Sequence, residues 1–432
     1  MSRTRQVLLP LALAALTAAG LFAAPLPAHA AESAAVTAGA GEPAGGGCLT
    51  ARPAADAEAA RLADPRAGRF VQEGGLGSFT ARFPAALCGV RTPAEADRLL
   101  DAWGVALWES AVDRAQGRRP LGTLPIADDR PLYWTRLTMD DQLARWTPTF
   151  AVDAGELRSR FEDASRGLAD NAFSGTRGIE RVFVSGFDPF GLDGDLRTAN
   201  PSGAVALALN GQRVRLADGR LAELRTVVLP VRYADFDHGI VERAFGPRLA
   251  PGPKAADRIT TISQGYPGLF TLEAWAGRAR SADPYPDNVG ALSGGTYQHP
   301  VDAPGLAPGP QFIATTLPTA AMTAAVQSPY PVLLNTEVSE IPAGATDPVD
   351  RSDGPTPGSR AVEGGGGGYL SNEVAYRSNL LRQQLAPALP GGHLHTPVLT
   401  GLPADPQQLT GPDFEANRAA ITAEVRTLLA AR

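Results

Sequence analysis

The chain has 432 residues, 44% of them hydrophobic and 19% charged, which is enough apolar material for a sizeable core and excludes a wholly disordered protein. A formal net charge of −6 and a pI near 5.5 leave no basic surface for nucleic acid and no polybasic patch for a membrane, so neither partner is expected.

Residues 1–30 read as a secretory signal. Arg3 and Arg5 supply the positive start, Leu8 to Ala24 is an apolar run, and Ala28-His29-Ala30 gives the small-x-small pattern before a cut. No later segment approaches the roughly 18 apolar residues of a membrane span, so the expectation is a secreted protein without stable membrane insertion. Residues 31–47, rich in Ala, Gly, Ser and Thr, read as a flexible mature N-terminus. Cys48 and Cys88 are the only cysteines, and in an exported chain such a pair is expected to form one disulfide, worth about 3–4 kcal/mol in the chain-entropy model. A catalytic thiol at either position is the lesser reading, because neither has a histidine nearby in sequence.

Residues 48–178 are patterned mainly as helix. In "RTPAEADRLLDAWGVALWESAVDRA", Thr92 is placed as N-cap, Pro93 as first helical residue and Glu95 as the reciprocal partner of a capping box. Leu100, Trp103, Leu107 and Ala111 follow at helical spacing and predict a packed apolar face. "AGELRSRFEDASRGLAD" predicts a further amphipathic helix, and no motif in this region points to an activity.

At Arg181 the pattern changes, and residues 179–432 read as a separate α/β domain. "RVFVSGFDPF", "LRTVVLPVRY", "GLFTLEAWAG", "PVLLNTEV" and "HLHTPVL" are β-branched, apolar runs that predict strands. "NPSGAVALALNG", "NEVAYRSNLLRQQLA" and "DFEANRAAITAEVRTLLAAR" predict helices. Strands alternating with helices imply a three-layer α-β-α domain with a mostly parallel central sheet. Residues 284–310 and 337–368 resist the pattern and are expected as long irregular loops, of the kind that cover sites or form disordered insertions.

A parallel sheet of this type binds its ligands at the carboxyl ends of the strands. The "GFDPFG" turn, Glu273, Ser371 at a helix start and the "HLH" strand near His395 all fall at such ends. A hydroxyl at a helix N-terminus lies beside unpaired backbone N–H groups that can hold an oxyanion. A histidine can take its proton, and a carboxylate can fix the imidazole tautomer. Ser, His and Glu are thus the types that acyl transfer to water needs, although sequence spacing alone does not establish a triad.

The same segments resemble the pyroglutamyl peptidase I family, the pyrrolidone carboxyl peptidases, which are cysteine peptidases that remove an N-terminal pyroglutamate. "SGFDPFG" resembles that family's Gly-Phe-Glu-Pro-Phe-Gly turn and "NPS" its Asn-Pro-Ser. "VVLPV" resembles its Leu-Pro-Val strand, "FTLEAWAG" its glutamate strand, "YPDN" its Pro-Asp-Asn loop, "GYLSNEVAYRSNLL" its Tyr-x-Cys-Asn helix start, and "HTPVL" its histidine strand. The matches run in order from about 181 to 400 and touch nothing before 178.

Carried over by position, the resemblance implies a triad of Ser371, His395 and Glu273. It implies ring-binding phenylalanines at Phe187 and Phe190, and groups reading the lactam amide at Asn200 and Gln264. The implied ligand is a peptide or small molecule with a pyroglutamyl-like end. Three departures stand out: Ser371 replaces the family's cysteine, Asp188 replaces the turn's glutamate, and Glu337 to Gly367 intrudes before the nucleophile position. A serine there needs a general base during attack, where a cysteine can be ionised beforehand. The sequence is therefore compatible with a serine hydrolase and, alternatively, with a non-catalytic binding or regulatory protein on the same fold, in which Ser371 merely caps a helix.

Weaker signals carry less. His393 and His395 share one strand face but lack a third metal ligand at a recognisable spacing, so no metal is expected, and no cofactor. "DPVDRSDG" has no EF-hand spacing, and its default is a solvated loop. The glycines 364–368 lack the Lys-Ser/Thr of a phosphate loop and are expected to supply slack before residue 371.

Overall fold

The structure, a computed structural model, describes residues 47–169, 171–325 and 329–432. The signal and nearly all of the flexible segment expected at the N-terminus lie outside the described residues. Gly47–Arg432 forms one compact unit.

The first part of the chain folds as helices α1 (Pro65–Glu73), α2 (Gly77–Gly89), α3 (Pro93–Ala115), α4 (Arg130–Arg145) and α5 (Ala154–Ser165). Helix α3 starts as its sequence dictates: the Thr92 side chain accepts the Glu95 N–H, and the Glu95 carboxylate accepts the Arg91 N–H 2.8 Å away. Leu100, Leu107 and Ala111 are buried in one cluster with Phe83 and Phe161, while Trp103 is half-buried against Phe79 and Phe83. The expected Cys48–Cys88 disulfide is present, with 5.6 Å between the Cα atoms, and ties the start of the described chain to the end of α2.

The second part runs β1 (Glu180–Phe187), α6 (Pro201–Leu209), β2 (Arg213–Arg215), β3 (Leu221–Leu229), α7 (Ile240–Leu249), β4 (Arg258–Gln264), β5 (Phe270–Glu273) and β6 (Val332–Asn335). It continues with β7 (Val338–Ile341), β8 (Val349–Arg351), β9 (Arg360–Glu363), α8 (Leu370–Leu385), β10 (Gly391–Thr396) and α9 (Pro412–Ala430). Seven strands form one sheet in the order β6-β5-β10-β4-β1-β3-β2. The ladders β6/β5, β10/β4, β4/β1 and β1/β3 are parallel, whereas β10/β5 and β3/β2 are antiparallel.

Side chains alternate across the strands, so each face finds its own helices. Val182, Leu224, Ile262 and Leu394 pack with Val205 of α6 and Ile421 and Val425 of α9. Phe183, Val227 and Ile259 pack with Phe245 of α7 and Val374 of α8. The result is the expected three-layer α/β domain with a mostly parallel sheet and a helical region before it. Helix α3 lies on this domain, with Trp108 and Val112 clustered with Ala206, Leu207 and Val228.

Three local features depart from expectation. Strand β4 and helix α7 are not announced by the pattern: β4 reads "RITTISQ", and its buried hydroxyls interrupt the apolar run that marks a core strand. The segment 337–368 is ordered, with β7, β8 and β9 forming a three-stranded antiparallel sheet in the order β8-β7-β9. Its Pro and Gly residues mark the turns of that sheet. Finally, Ser371 is not an N-cap, because Tyr369 takes that position and Ser371 is the second residue of α8. Among the described residues, no helix is long and apolar enough to cross a membrane.

Candidate active site

The carboxyl ends of β1 and β4 and the first turn of α8 meet around a cavity of about 40 Å³, whose walls include Phe187, Phe190, Asn200, Ser263, Gln264 and Ser371. The residues that the resemblance assigned to ring and amide binding, spread in sequence from Phe187 to Gln264, are thereby brought to one place. The aromatic walls pack against further rings. Phe187 stacks on Phe236 with ring centroids 6.1 Å apart, and Phe190 lies 6.4 Å from Tyr369. Two flat apolar walls with a few polar groups suit a small ring.

The polar groups differ in how far they are committed. Asn200 is the N-cap of α6: its Oδ1 accepts from the Ser202 N–H at 3.1 Å and the Ser202 hydroxyl at 2.8 Å, and its Nδ2 donates to the Asp188 carbonyl at 3.0 Å. It therefore holds the Asp188 turn as well as lining the cavity. The Gln264 Oε1 is buried and has no hydrogen-bond partner among the described residues. Asp188 carries a burden that its sequence context does not disclose. Its buried carboxylate accepts from Arg136 of α4 and from Arg166, the latter at 2.5 Å.

His395 and Glu273 come together across the antiparallel β10/β5 ladder, with 2.8 Å between His395 Nδ1 and Glu273 Oε1. The Thr271 hydroxyl donates to the same carboxylate at 2.5 Å, and the Asn335 amide donates to its Oε2 at 2.7 Å. Burial pushes the Glu273 carboxyl up, but the hydrogen bond and charge interaction with His395, and the hydrogen bonds from Thr271 and Asn335, outweigh it and hold the group below its usual range. A carboxylate on Nδ1 places the proton there and leaves Nε2 with its lone pair. His395 pairs in register with Ser263 on β4, which lines the cavity, so the imidazole sits one strand away from the cavity wall.

The glycine run is packed, not slack. A Cβ on Gly365 would strike the Glu273 carboxylate, one on Gly366 would strike the His395 ring, and one on Gly368 would strike Ser281. Gly366 also has φ +85°, a backbone conformation that costs any other residue. The run lines a second, polar hollow of about 470 Å³ with Asn335, Asp350, Arg351 and Glu363 beneath the inserted sheet. Asp350 of "DPVDRSDG" is not free there: it accepts from the Tyr297 hydroxyl at 2.6 Å and the Ser339 hydroxyl at 2.8 Å.

Ser371 reaches the cavity from the first turn of α8, where backbone N–H groups have no intrahelical acceptor. Its Oγ is not hydrogen-bonded to His395. His393 does not pair with His395 around a metal site. Its Nδ1 lies 2.7 Å from Thr261 Oγ1, its Nε2 lies 2.8 Å from Ser263 Oγ, and its ring meets His395 edge-on at 4.5 Å. Among the described residues, no group of three or more His, Cys, Asp or Glu is placed to hold a metal. The sequence offered one hint of the Ser263–His393 contact, the alternation His393-Leu394-His395, and none of the strand that supplies the serine.

Two family models match the chain: the PA0049 N-terminal domain over residues 37–163, and the PA0049 C-terminal domain over 181–304 and 331–400. A Pseudomonas aeruginosa protein described as uncharacterized protein PA0049 is 35% identical, with 84% of each chain covered. Among solved structures, the pyrrolidone carboxyl peptidase of Thermococcus litoralis is 20% identical, with 58% of this chain and 94% of that chain covered and a TM-score of 0.37. Pyroglutamyl peptidase I of Bacillus amyloliquefaciens is 20% identical, with 57% and 97% covered and a TM-score of 0.33.

Proposed function

The chain belongs to the PA0049 family, whose Pseudomonas member is described only as uncharacterized, and from the geometry of the site we propose that it is an exported peptidase-like hydrolase. It removes an N-terminal pyroglutamyl or related small acyl group, with Ser371 as nucleophile, His395 as general base and Glu273 as the carboxylate that orients the base. The observation that carries this reading is the buried Glu273–His395 pair at 2.8 Å, with Nε2 left free one strand from a phenylalanine-walled cavity that Ser371 lines.

In this mechanism the acyl ring lies between Phe187 and Phe190, and its amide edge faces Gln264. His395 Nε2 takes the Ser371 proton as Oγ bonds to the scissile carbonyl carbon. N–H groups of the first turn of α8 hold the resulting oxyanion. The proton on Nε2 then passes to the leaving amine as the C–N bond breaks, and a water, deprotonated by the same nitrogen, releases the acyl group from Ser371. Catalytic hydrogen bonds commonly close only when substrate binds, which accommodates the open Ser371–His395 contact. The Cys48–Cys88 disulfide and the signal-like residues 1–30 fit an oxidising, extracellular setting.

The open contact also supports a second reading, a protein that binds a pyroglutamyl-like end without cleaving it. Turnover of a pyroglutamyl chromogenic amide separates the two. The hydrolase reading expects release of chromophore by the mature protein and its loss in Ser371→Ala. A silent wild type, with activity appearing in Ser371→Cys, would establish the second reading in its place.

A further inference from the structure

The polar hollow of about 470 Å³ beneath the inserted sheet has no part in the mechanism above, yet its wall reaches the candidate base. Resting on the hydrolase reading, we propose that this hollow is the leaving-group subsite, and that its carboxylates favour a peptide whose residue after the pyroglutamyl group carries a cationic side chain.

Two segments of the chain tie the hollow to the cavity. Gln264 lines the cavity while Tyr266 lines the hollow, and Gly367 lines the hollow while Tyr369 and Ser371 line the cavity. In the sheet order β6-β5-β10-β4, Asn335 of β6 and Tyr266 just past β4 flank the two strands that carry Glu273 and His395. Gly366 also lines the hollow, and a Cβ there would strike Cε1 of the His395 ring. His395 therefore stands between the two spaces, with Ser263 of the cavity wall on one side and Gly366 of the hollow on the other. The chemistry asks for this arrangement. The leaving amine takes its proton from His395 Nε2, so the chain beyond the scissile bond has to pass that ring. With the acyl ring filling a cavity of about 40 Å³, the hollow is where that chain finds room.

The lining gives the class of leaving group. Glu337, Asp350 and Glu363 face a single cationic residue there, Arg351, whose Nε donates to the buried Glu340 carboxylate at 3.0 Å. Among the described residues, none of the three lining carboxylates is paired with a cation. Asp350 accepts from the Tyr297 and Ser339 hydroxyls, and Glu363 from the Ser281 hydroxyl at 3.3 Å. Burial, and then the Asp350 charge, raise the Glu363 pKa against that hydrogen bond. Burial raises the Tyr266 pKa too, and the charges of Glu273, Glu363 and Glu337 add to it, so these carboxylates act on the hollow's own wall. A bound cation relieves each of these repulsions. All three lining acids lie in the segment Glu337 to Gly367, which intrudes into the pyroglutamyl peptidase pattern, so the preference belongs to this chain's own insertion.

The test is kcat/KM of the mature protein for L-pyroglutamyl-L-lysinamide and for its norleucine and glutamate counterparts, followed by release of the amino-acid amide. Norleucine keeps the aliphatic stem of lysine without its ammonium. The lysine peptide is expected to be turned over roughly fivefold to tenfold better than the norleucine peptide, as befits partly exposed ion pairs, and the glutamate peptide worse than either. The lysine preference should shrink toward unity in the double variant Glu337→Gln/Glu363→Gln, with thermal unfolding confirming that it folds, and in wild type as salt is raised. Equal values for lysine and norleucine in wild type, or a preference that neither the variant nor salt reduces, overturns this inference while leaving the hydrolase reading standing. No turnover of any of the three peptides overturns the hydrolase reading, and this inference with it.

Discussion

Glu273 is 3% exposed and keeps its charge because His395, Thr271 and Asn335 all donate to it, whereas Asp129, 5% exposed, has no hydrogen-bond partner for either carboxylate oxygen among the described residues. Burial above all, and then Asp128, lift the Asp129 pKa to about 7 against the pull of Arg418 and Arg130. In the unfolded chain an aspartate loses its proton near about 4. Between about 4 and 7 the folded state thus binds more protons than the unfolded state, and stability falls as pH rises through that window. Asp129→Asn removes this loss. The variant is expected to melt at a higher temperature than wild type at pH 8 and at nearly the same temperature at pH 4.5; an equal shift at both would sink the assignment. The chemistry of the candidate site was legible residue by residue, since Ser371, His395, Glu273, Phe187, Phe190 and Gln264 are types with obvious uses. Their supporting partners were not. Asn335, Thr271 and Ser263 gain meaning only from strands that neighbour in space, and Asp188 looked like a conservative change until Arg136 and Arg166 were seen on it.

At the scale of elements, the glycine run is the part whose apparent and actual roles differ most. Five consecutive glycines suggest slack, but close approach to Glu273, His395 and Ser281 is what requires them to lack side chains. Gly366 and Gly367 separate the two effects. Both have positive φ, +85° and +106°, but a Cβ at 366 meets the His395 ring while one at 367 meets nothing within 4 Å. Alanine at either position should cost about 1–2 kcal/mol in stability from backbone strain. Only Gly366→Ala should also abolish turnover or ligand binding, measured beside thermal unfolding. If both variants bind and turn over alike, the run has no contact role at the base. The sheet's layers were legible because apolar alternation and helix caps are local signals. Strand β4 and the inserted sheet were not, because buried hydroxyls paired across strands do not register as hydrophobic periodicity.

For the molecule as a whole, the helical region is joined to the site through charge as well as through packing. Arg136 and Arg166 hold Asp188 in the turn between Phe187 and Phe190, Glu162 pairs with Arg166 at 2.5 Å, and Arg232 pairs with Glu58 and Glu162 at 3.1 Å each. Removing one side of such a buried network leaves charges without partners, which is strongly destabilising. A fragment of residues 179–432 would also expose Ala206, Leu207 and Val228, now covered by α3. It is expected to be aggregated or unfolded by circular dichroism and gel filtration, while a cooperatively melting, monodisperse fragment would show that the α/β part stands alone. A nucleophilic role for Ser371, served by His395 and Glu273, is tested by treating the mature protein with a fluorophosphonate and mapping the modified peptide. One label is expected, on Ser371, lost in His395→Ala and reduced in Glu273→Gln. Absence of label, or label on Ser263, would contradict it.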